Sequence, residues 1–112
     1  MSRSDIPLDA PFDAFGGDPK PAADLLRVLA NPHRLAVLCA LRDGEHPVGE
    51  IARVLGLSQS ALSQHLARLR RDGVVEARRQ GQTIFYRIAD ADVMSLLAAV
   101  SGVMARRRSR EH

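Results

Sequence analysis

The side chains best suited to chemistry lie on one face of a predicted helix, residues 58–72. With about 100° of rotation per residue, three leucines share one side of this helix and must face a core. The opposite side has no Glu or Lys and carries Ser60, Ser63, Gln64, Ala67, Arg68 and Arg71. Serine and glutamine hydrogen-bond base edges in a DNA major groove, and arginine reads guanine or binds phosphate. We interpret this face as a DNA-reading surface, with an ordinary solvated face as the alternative.

Charge along the chain favours the same interpretation. Residues 53–87 hold seven arginines against two acidic residues, a net charge of +5, whereas residues 1–24 hold two basic residues against five aspartates, a net charge of −3. A strongly positive segment favours nucleic acid as a partner. Arg78 and Arg79 lie beside the tip of a predicted hairpin, from which they can reach a minor groove or the DNA backbone. Simple solubility is the alternative role for both.

Helix signals place the polar face in a helix-turn-helix. A first helix begins near Pro21 and stops at Asn31-Pro32, a dipeptide that also starts the second helix through an asparagine cap and a proline in the first turn. A third helix begins at Pro47. The three residues from Gly56 to Ser58 connect it to the fourth, as a helix-turn-helix requires.

After the fourth helix the apolar period becomes strand-like. Alternation on both sides of Gln80-Gly81 predicts a two-stranded hairpin, and Asp90 caps a last helix that ends at about Arg106. The expected fold is mainly α with a small β-hairpin, a dimeric winged helix-turn-helix with the order α1-α2-α3-α4-β-β-α5.

Composition divides the chain into three parts. Residues 1–20 contain three prolines, a Gly-Gly pair and four aspartates, and we expect a flexible acidic arm in which Phe12 and Phe15 could dock on the body. Residues 21–106 are the predicted DNA-binding and dimerisation domain. Residues 107–112 are expected to form a basic tail.

Several classes of function and location are disfavoured. Ser63 and His65 point different ways on one helix, no Gly-rich phosphate loop exists and the acids are not grouped, so an enzyme is not expected. The four histidines share no ligand spacing, and neither a metal nor another cofactor is predicted. No apolar run approaches the roughly 20 residues of a spanning helix and no signal pattern begins the chain, so we expect a cytoplasmic protein without membrane contact.

The sequence resembles the ArsR/SmtB family of winged-helix repressors. The resemblance covers about residues 21–105, through LRVLANPHRLAVLCAL and VGEIARVLGLSQSALSQHLARLRRDGVVEARRQGQTIFYRI. It implies a homodimer, joined through the first and last helices, that binds double-stranded operator DNA and leaves it when an inducer is sensed. The matching DNA-binding positions are Ser58, Gln59, Ser60, Ser63 and Gln64 in the recognition helix and Arg78, Arg79 and Gln82 in the wing.

The metal ligands of family members are missing at the corresponding positions. Where thiolate-site relatives have Cys-x-Cys, this chain reads His46-Pro47-Val48-Gly49-Glu50. In the last helix, Asp90 and Asp92 are followed by no His or Glu before Glu111. The resemblance therefore predicts no metal site.

Cys39 is the remaining candidate sensor. The chain looks most like the thiol-sensing branch of the family, the BigR, SqrR and HlyU type, through LCAL and SQSALSQHLARLRRDG. In that branch the helix-two cysteine pairs with a second cysteine, at a position that aligns with about Ala105 here. An engineered Cys-to-Ala variant, a one-cysteine sensor using sulfenate, persulfide or intermolecular chemistry, and a repressor that has lost sensing all remain open. A buried core cysteine is the structural alternative.

The predicted function is thus a homodimeric repressor, released from a two-fold symmetric operator by a reactive sulfur or oxidant signal at Cys39. One alternative is a repressor of the same family with no thiol sensing or a different inducer. From another class, the alternative is a protein-interaction module in which the last helix and the Phe12 and Phe15 arm bind a partner.

Overall fold

The computed structural model describes residues 11–111 of the chain. A short 3-10 helix, Asp13–Phe15, is followed by five α-helices and a small sheet. The winged helix-turn-helix expected from the sequence is confirmed. Its elements are α1 (Lys20–Leu29), α2 (Pro32–Ala40), β1 (His46–Pro47), α3 (Val48–Leu55), α4 (Gln59–Arg71), β2 (Val75–Gln80), β3 (Thr83–Ile88) and α5 (Ala91–Arg110).

Side-chain caps begin three of the helices where the sequence predicts them. The Asn31 side chain accepts hydrogen bonds from the amides of His33 and Arg34 at 3.0 and 3.1 Å. Ser58 Oγ accepts from the Ala61 amide at 3.1 Å, and Asp90 caps α5 in the same way. Each cap satisfies amides that have no partner within the helix, so these polar residues fix where the helices begin.

The sheet has one strand more than the predicted hairpin. β2 and β3 pair antiparallel from Val75 opposite Ile88 to Gln80 opposite Thr83. β1 pairs with the other side of β3, so that β3 is the central strand. The prediction missed β1 because two residues are too few to show alternation. Proline, which lacks an amide donor, is tolerated in such an edge strand.

One apolar core holds the helices against the sheet. The three leucines of α4 predicted to face inward, Leu62, Leu66 and Leu69, are fully buried. Fixing α4 on this side leaves its other side to solvent. The rest of the buried core comes from every other helix and from the start of β2: Leu29, Val37, Leu38, Leu41, Ile51, Ala52, Val74, Val75, Val93 and Leu97.

The last helix is longer than the sequence predicts. α5 continues past Arg106 to Arg110, so most of the expected basic tail is helical. No glycine or proline interrupts residues 103–110, and arginines near a helix C-terminus interact favourably with the helix dipole. Within residues 11–111, no helix has the length and apolar character to cross a membrane.

The predicted flexible arm falls partly outside the described residues, since residues 1–10 are not among them. Its described part contains the 3-10 helix, with Phe12 46% and Phe15 56% exposed. Neither ring is therefore packed into the core of the chain.

Candidate nucleic-acid interface

The polar face of α4 is exposed. Gly56, in the left-handed region at φ 66°, turns the chain between α3 and α4, and Ser58 then caps α4. Ser60, Ser63 and Gln64 all lie opposite the buried leucines and are open to solvent. Among residues 11–111, their side chains make no hydrogen bond. The predicted DNA-reading side chains thus lie together on one helix, without hydrogen-bond partners among the described residues.

The two predicted arginines of α4 differ in their surroundings. Arg68 lies one turn before Asp72, and its Nε is 3.4 Å from Asp72 Oδ2. Arg71 takes part in none of the ion pairs of the described residues. Both side chains are exposed. Arg71 therefore offers its full charge to an external anion, whereas Arg68 shares its charge with a carboxylate.

A cleft connects the start of α4 with the wing, the hairpin of β2 and β3. It measures about 550 Å³ and is lined by Gln59 from α4 and by Gln82 from the hairpin tip. Glu50 also lines this cleft, so a carboxylate lies near the two glutamines. The two glutamines, predicted separately from the recognition helix and the wing, thus face the same space.

The two neighbouring arginines of the wing, Arg78 and Arg79, differ in their ion-pair partners. Arg79 is exposed and belongs to no ion pair in the part of the chain that the structure describes. Arg78 is held by Glu45, with Nε to Oε2 at 3.1 Å and Nη2 to Oε1 at 2.5 Å. This hydrogen-bonded pair lowers the pKa of the Glu45 carboxyl and raises the pKa of Arg78.

Sequence reasoning missed Glu45. It lies 33 residues before Arg78, in the loop just ahead of β1. A strand of two residues gives no periodic signal, so the pattern did not place this loop beside the sheet. Recognising β1 would have placed Glu45 near the central strand.

Cys39 is exposed, so the structure does not show the buried core cysteine that the sequence left open as an alternative. It lines a cavity of about 160 Å³ between α2 and α5, together with Leu35 and Arg42 from its own side. The α5 side contributes Leu97, Val100, Ser101 and Met104. Ala105, which aligns with the second cysteine of the thiol-sensing branch, is exposed and does not line the cavity.

Two histidines, one on α2 and one on α4, stack on each other. The rings of His33 and His65 have centroids 5.0 Å apart and planes inclined by 22°. His65, on α4 beside the buried leucines, is half-buried. In residues 11–111, no cluster of three or more His, Cys, Asp or Glu residues could hold a metal ion.

Comparison with known proteins places this interface in a family. Residues 31–77 match the family described as "Bacterial regulatory protein, arsR family". The transcriptional activator HlyU of Vibrio cholerae is 51% identical over 76 residues, which are 68% of this chain and 70% of the relative. The chain belongs to the ArsR family. It is a DNA-binding transcriptional regulator, and the relatives named here are regulators and not enzymes.

Solved structures agree with the ArsR-family fold. The transcriptional repressor BigR from Xylella fastidiosa is 37% identical with a TM-score of 0.76, and the match covers 81% of this chain and 93% of that one. A homodimeric winged helix-turn-helix DNA-binding domain from Mycobacterium bovis, a possible ArsR-family regulator, is 39% identical with a TM-score of 0.68. That match covers 85% of this chain and 92% of the other.

Proposed function

We propose that this ArsR-family chain is a homodimeric repressor that binds a two-fold symmetric operator. The observation that carries the proposal is the free polar face of α4, with Ser60, Ser63 and Gln64 exposed above buried leucines. Such a helix fits a major groove, where serine and glutamine discriminate base edges. A dimer then reads two half-sites about one helical turn apart.

Around these reading residues, other side chains hold the DNA backbone. The amides at the start of α4 carry a partial positive charge, and Ser58 and Gln59 lie beside them. Arg71 at the far end of the helix and Arg79 in the wing are exposed cations suited to phosphate. Gln82 at the hairpin tip and Arg68 complete the proposed contact surface. Phosphate contacts fix the register, and base contacts specify the sequence.

We propose that a second copy of the chain covers the exposed apolar side chains on α1 and α5. Leu26 is 53% exposed, Val103 41% and Met104 43%, with Val100 beside them at 37%. A chain of this size buries a limited share of its surface alone, and pairing these helices extends the core. The homodimeric neighbour from Mycobacterium bovis has the same winged fold.

The test of operator binding uses DNA from upstream of the gene, with fluorescence anisotropy at several salt concentrations. We expect tight, sequence-selective binding whose affinity falls by orders of magnitude between about 50 and 200 mM salt, since counterions are released from phosphates. Affinity for a scrambled duplex equal to that for the operator would refute a sequence-reading role. A protein-interaction module would bind DNA weakly, and its apolar contacts would respond little to salt.

The proposed signal is a reactive sulfur species acting at Cys39. The thiolate attacks one sulfur of an inorganic polysulfide and forms an S–S bond as the polysulfide's own S–S bond breaks. The shorter polysulfide leaves with the electron pair. Cys39 is the single cysteine, so this product is a persulfide or, with a second chain, an intermolecular bridge. Its support is the exposure of the thiol beside an apolar cavity.

A larger group at Cys39 would occupy the cavity between α2 and α5 and change how these helices pack. Because α5 is proposed to join the protomers, this change would alter the spacing of the two recognition helices. We expect polysulfide to release the operator, a reductant to restore binding and Cys39→Ser to abolish the response. Binding indifferent to polysulfide would leave a repressor with another inducer or none.

A further inference from the structure

Arg78 makes several contacts within the protein. Two guanidinium nitrogens donate to Glu45, and the third, Nη1, donates to Gln80 Oε1 at 2.9 Å. The guanidinium carbon also lies 4.7 Å from the centroid of the Phe85 ring, a cation–π distance. Three of the five guanidinium N–H groups therefore have acceptors within the protein and one face of the group lies over a ring, which leaves two N–H groups for a DNA phosphate.

These contacts run across the whole sheet. Arg78 is in β2 at one edge, Phe85 is its direct cross-strand partner in central β3, and Glu45 immediately precedes β1 at the other edge. The Arg78 side chain therefore crosses the central strand to reach the loop that leaves α2. A planar bidentate pair fixes direction as well as distance. The Arg78 side chain thus adds a connection between the edge strand of the wing and the helical body to the one that the β1–β3 pairing makes.

We propose that Arg78 is a positioning residue and Glu45 its required partner, together setting the angle at which the wing presents Arg79 and Gln82 to DNA. The inference rests on the proposed operator binding and refines it. It reassigns Arg78 from the predicted phosphate contacts to the support of its neighbours. The pair is exposed and contributes little to global stability, so its effect is expected in DNA binding rather than in unfolding.

The two possible roles of Arg78 predict opposite changes in operator affinity for one substitution, Glu45→Gln. If Arg78 positions the wing, Glu45→Gln loosens the wing and weakens operator binding, although it removes a negative charge from the protein. If Arg78 contacts phosphate, the same change frees a cation for DNA and strengthens binding. If Glu45 merely repels DNA, the substitution relieves that repulsion and also strengthens binding. A loss of affinity is therefore specific to positioning.

The experiment measures operator affinity against salt for wild type, Glu45→Gln, Arg78→Met and the double variant, with thermal unfolding of each as a control. We expect each single variant to lose about tenfold in affinity and the double variant to lose no more than either, as interacting partners do. The slope of log affinity against log salt is expected to stay at the wild-type value. The charge swap Glu45→Arg with Arg78→Glu is expected to recover part of the loss.

Three results would overturn the inference: tighter binding by Glu45→Gln, additive losses in the double variant, or a slope lowered by about 0.9 per protomer in Arg78→Met. Affinities unchanged in all variants would overturn it as well.

Arg79→Ala serves as the matched control, since it removes the neighbouring charge. If wild type shows no salt-dependent operator binding, the proposed function itself fails; if Arg79→Ala lowers the slope while Glu45 and Arg78 variants bind normally, this inference alone fails.

Discussion

The polar face of α4 and the wing are both polar and basic, but they differ in how many of their polar groups already have partners within the protein. On α4, Ser60, Ser63 and Gln64 are exposed without hydrogen-bond partners among the described residues. In the wing, Arg78 is bound to Glu45 and Arg87 forms an ion pair with Glu76. Two arginines of the wing are thus paired with carboxylates of the protein, whereas these three polar side chains of α4 have no such partners in the described residues.

This difference changes the meaning of the charge count. Of the seven arginines in residues 53–87, three pair with protein carboxylates, namely Arg68, Arg78 and Arg87. Within residues 11–111, four take part in no ion pair: Arg53, Arg70, Arg71 and Arg79. Net charge along a sequence therefore overstates how many arginines are free of ion pairs in the described residues.

The largest expected effect comes from the core beneath α4, which both regions need. Leu66 is fully buried, so Leu66→Ala removes buried methyl groups and leaves a cavity costing about 2–5 kcal/mol. We expect a large loss of unfolding free energy in urea and loss of all DNA binding. The matched control is Val54→Ala on α3, where Val54 is 60% exposed and a change within about 0.5 kcal/mol is expected. Equal costs at both positions would contradict the described core.

The next effect separates specificity from affinity. Gln64→Ala removes a proposed base contact, and we expect discrimination between operator and scrambled DNA to fall by about 1–3 kcal/mol, or roughly 5- to 150-fold. The salt slope should not change, because no charge is lost. Competition anisotropy with both duplexes measures the ratio. If discrimination stays at the wild-type value, Gln64 does not read bases and the free face of α4 is only solvated.

A smaller and uniform effect is expected in the wing. Arg79→Ala should weaken binding to every sequence alike and lower the salt slope by about 0.9 per protomer. Arg87→Ala is the matched control, an exposed arginine in the same hairpin whose guanidinium is paired with Glu76. It should leave the slope unchanged. Identical slopes for the two variants would remove the distinction between free and paired arginines on which the comparison stands.

The sequence predicts most of the fold because local signals decide it. Caps at Asn31, Ser58 and Asp90, the leucine period of α4 and the alternation around Gly81 each act within a few residues. Two features escaped prediction for physical reasons. β1 is too short to carry a period, and α5 continues through its arginines because no residue there stops a helix.

For the candidate site, the sequence predicts which residues lie on the α4 face but not which charges are free. That second property depends on contacts between residues far apart in the chain, such as Glu45 and Arg78. The exposure of Cys39 also depends on contacts between parts of the chain that are far apart in sequence. It depends on how α2 and α5 meet, and the helical position of Cys39 at the edge of an apolar face left both outcomes open.

The smallest expected effect is a pKa change at Glu45. Its hydrogen bonds from Arg78 hold the pKa of the carboxyl below its usual value, so Arg78→Met should raise it toward the ordinary glutamate value of about 4.3. A carboxyl whose pKa is lowered in the folded protein contributes stability at pH values above its ordinary pKa. This contribution is lost as the pH falls through the lowered pKa. The pair is therefore intact at neutral pH, and the wing should not move between pH 6 and 8 on its account. Titration of the Glu45 carboxyl carbon by NMR measures the shift, and equal midpoints in wild type and Arg78→Met would mean that the two side chains are not paired in solution.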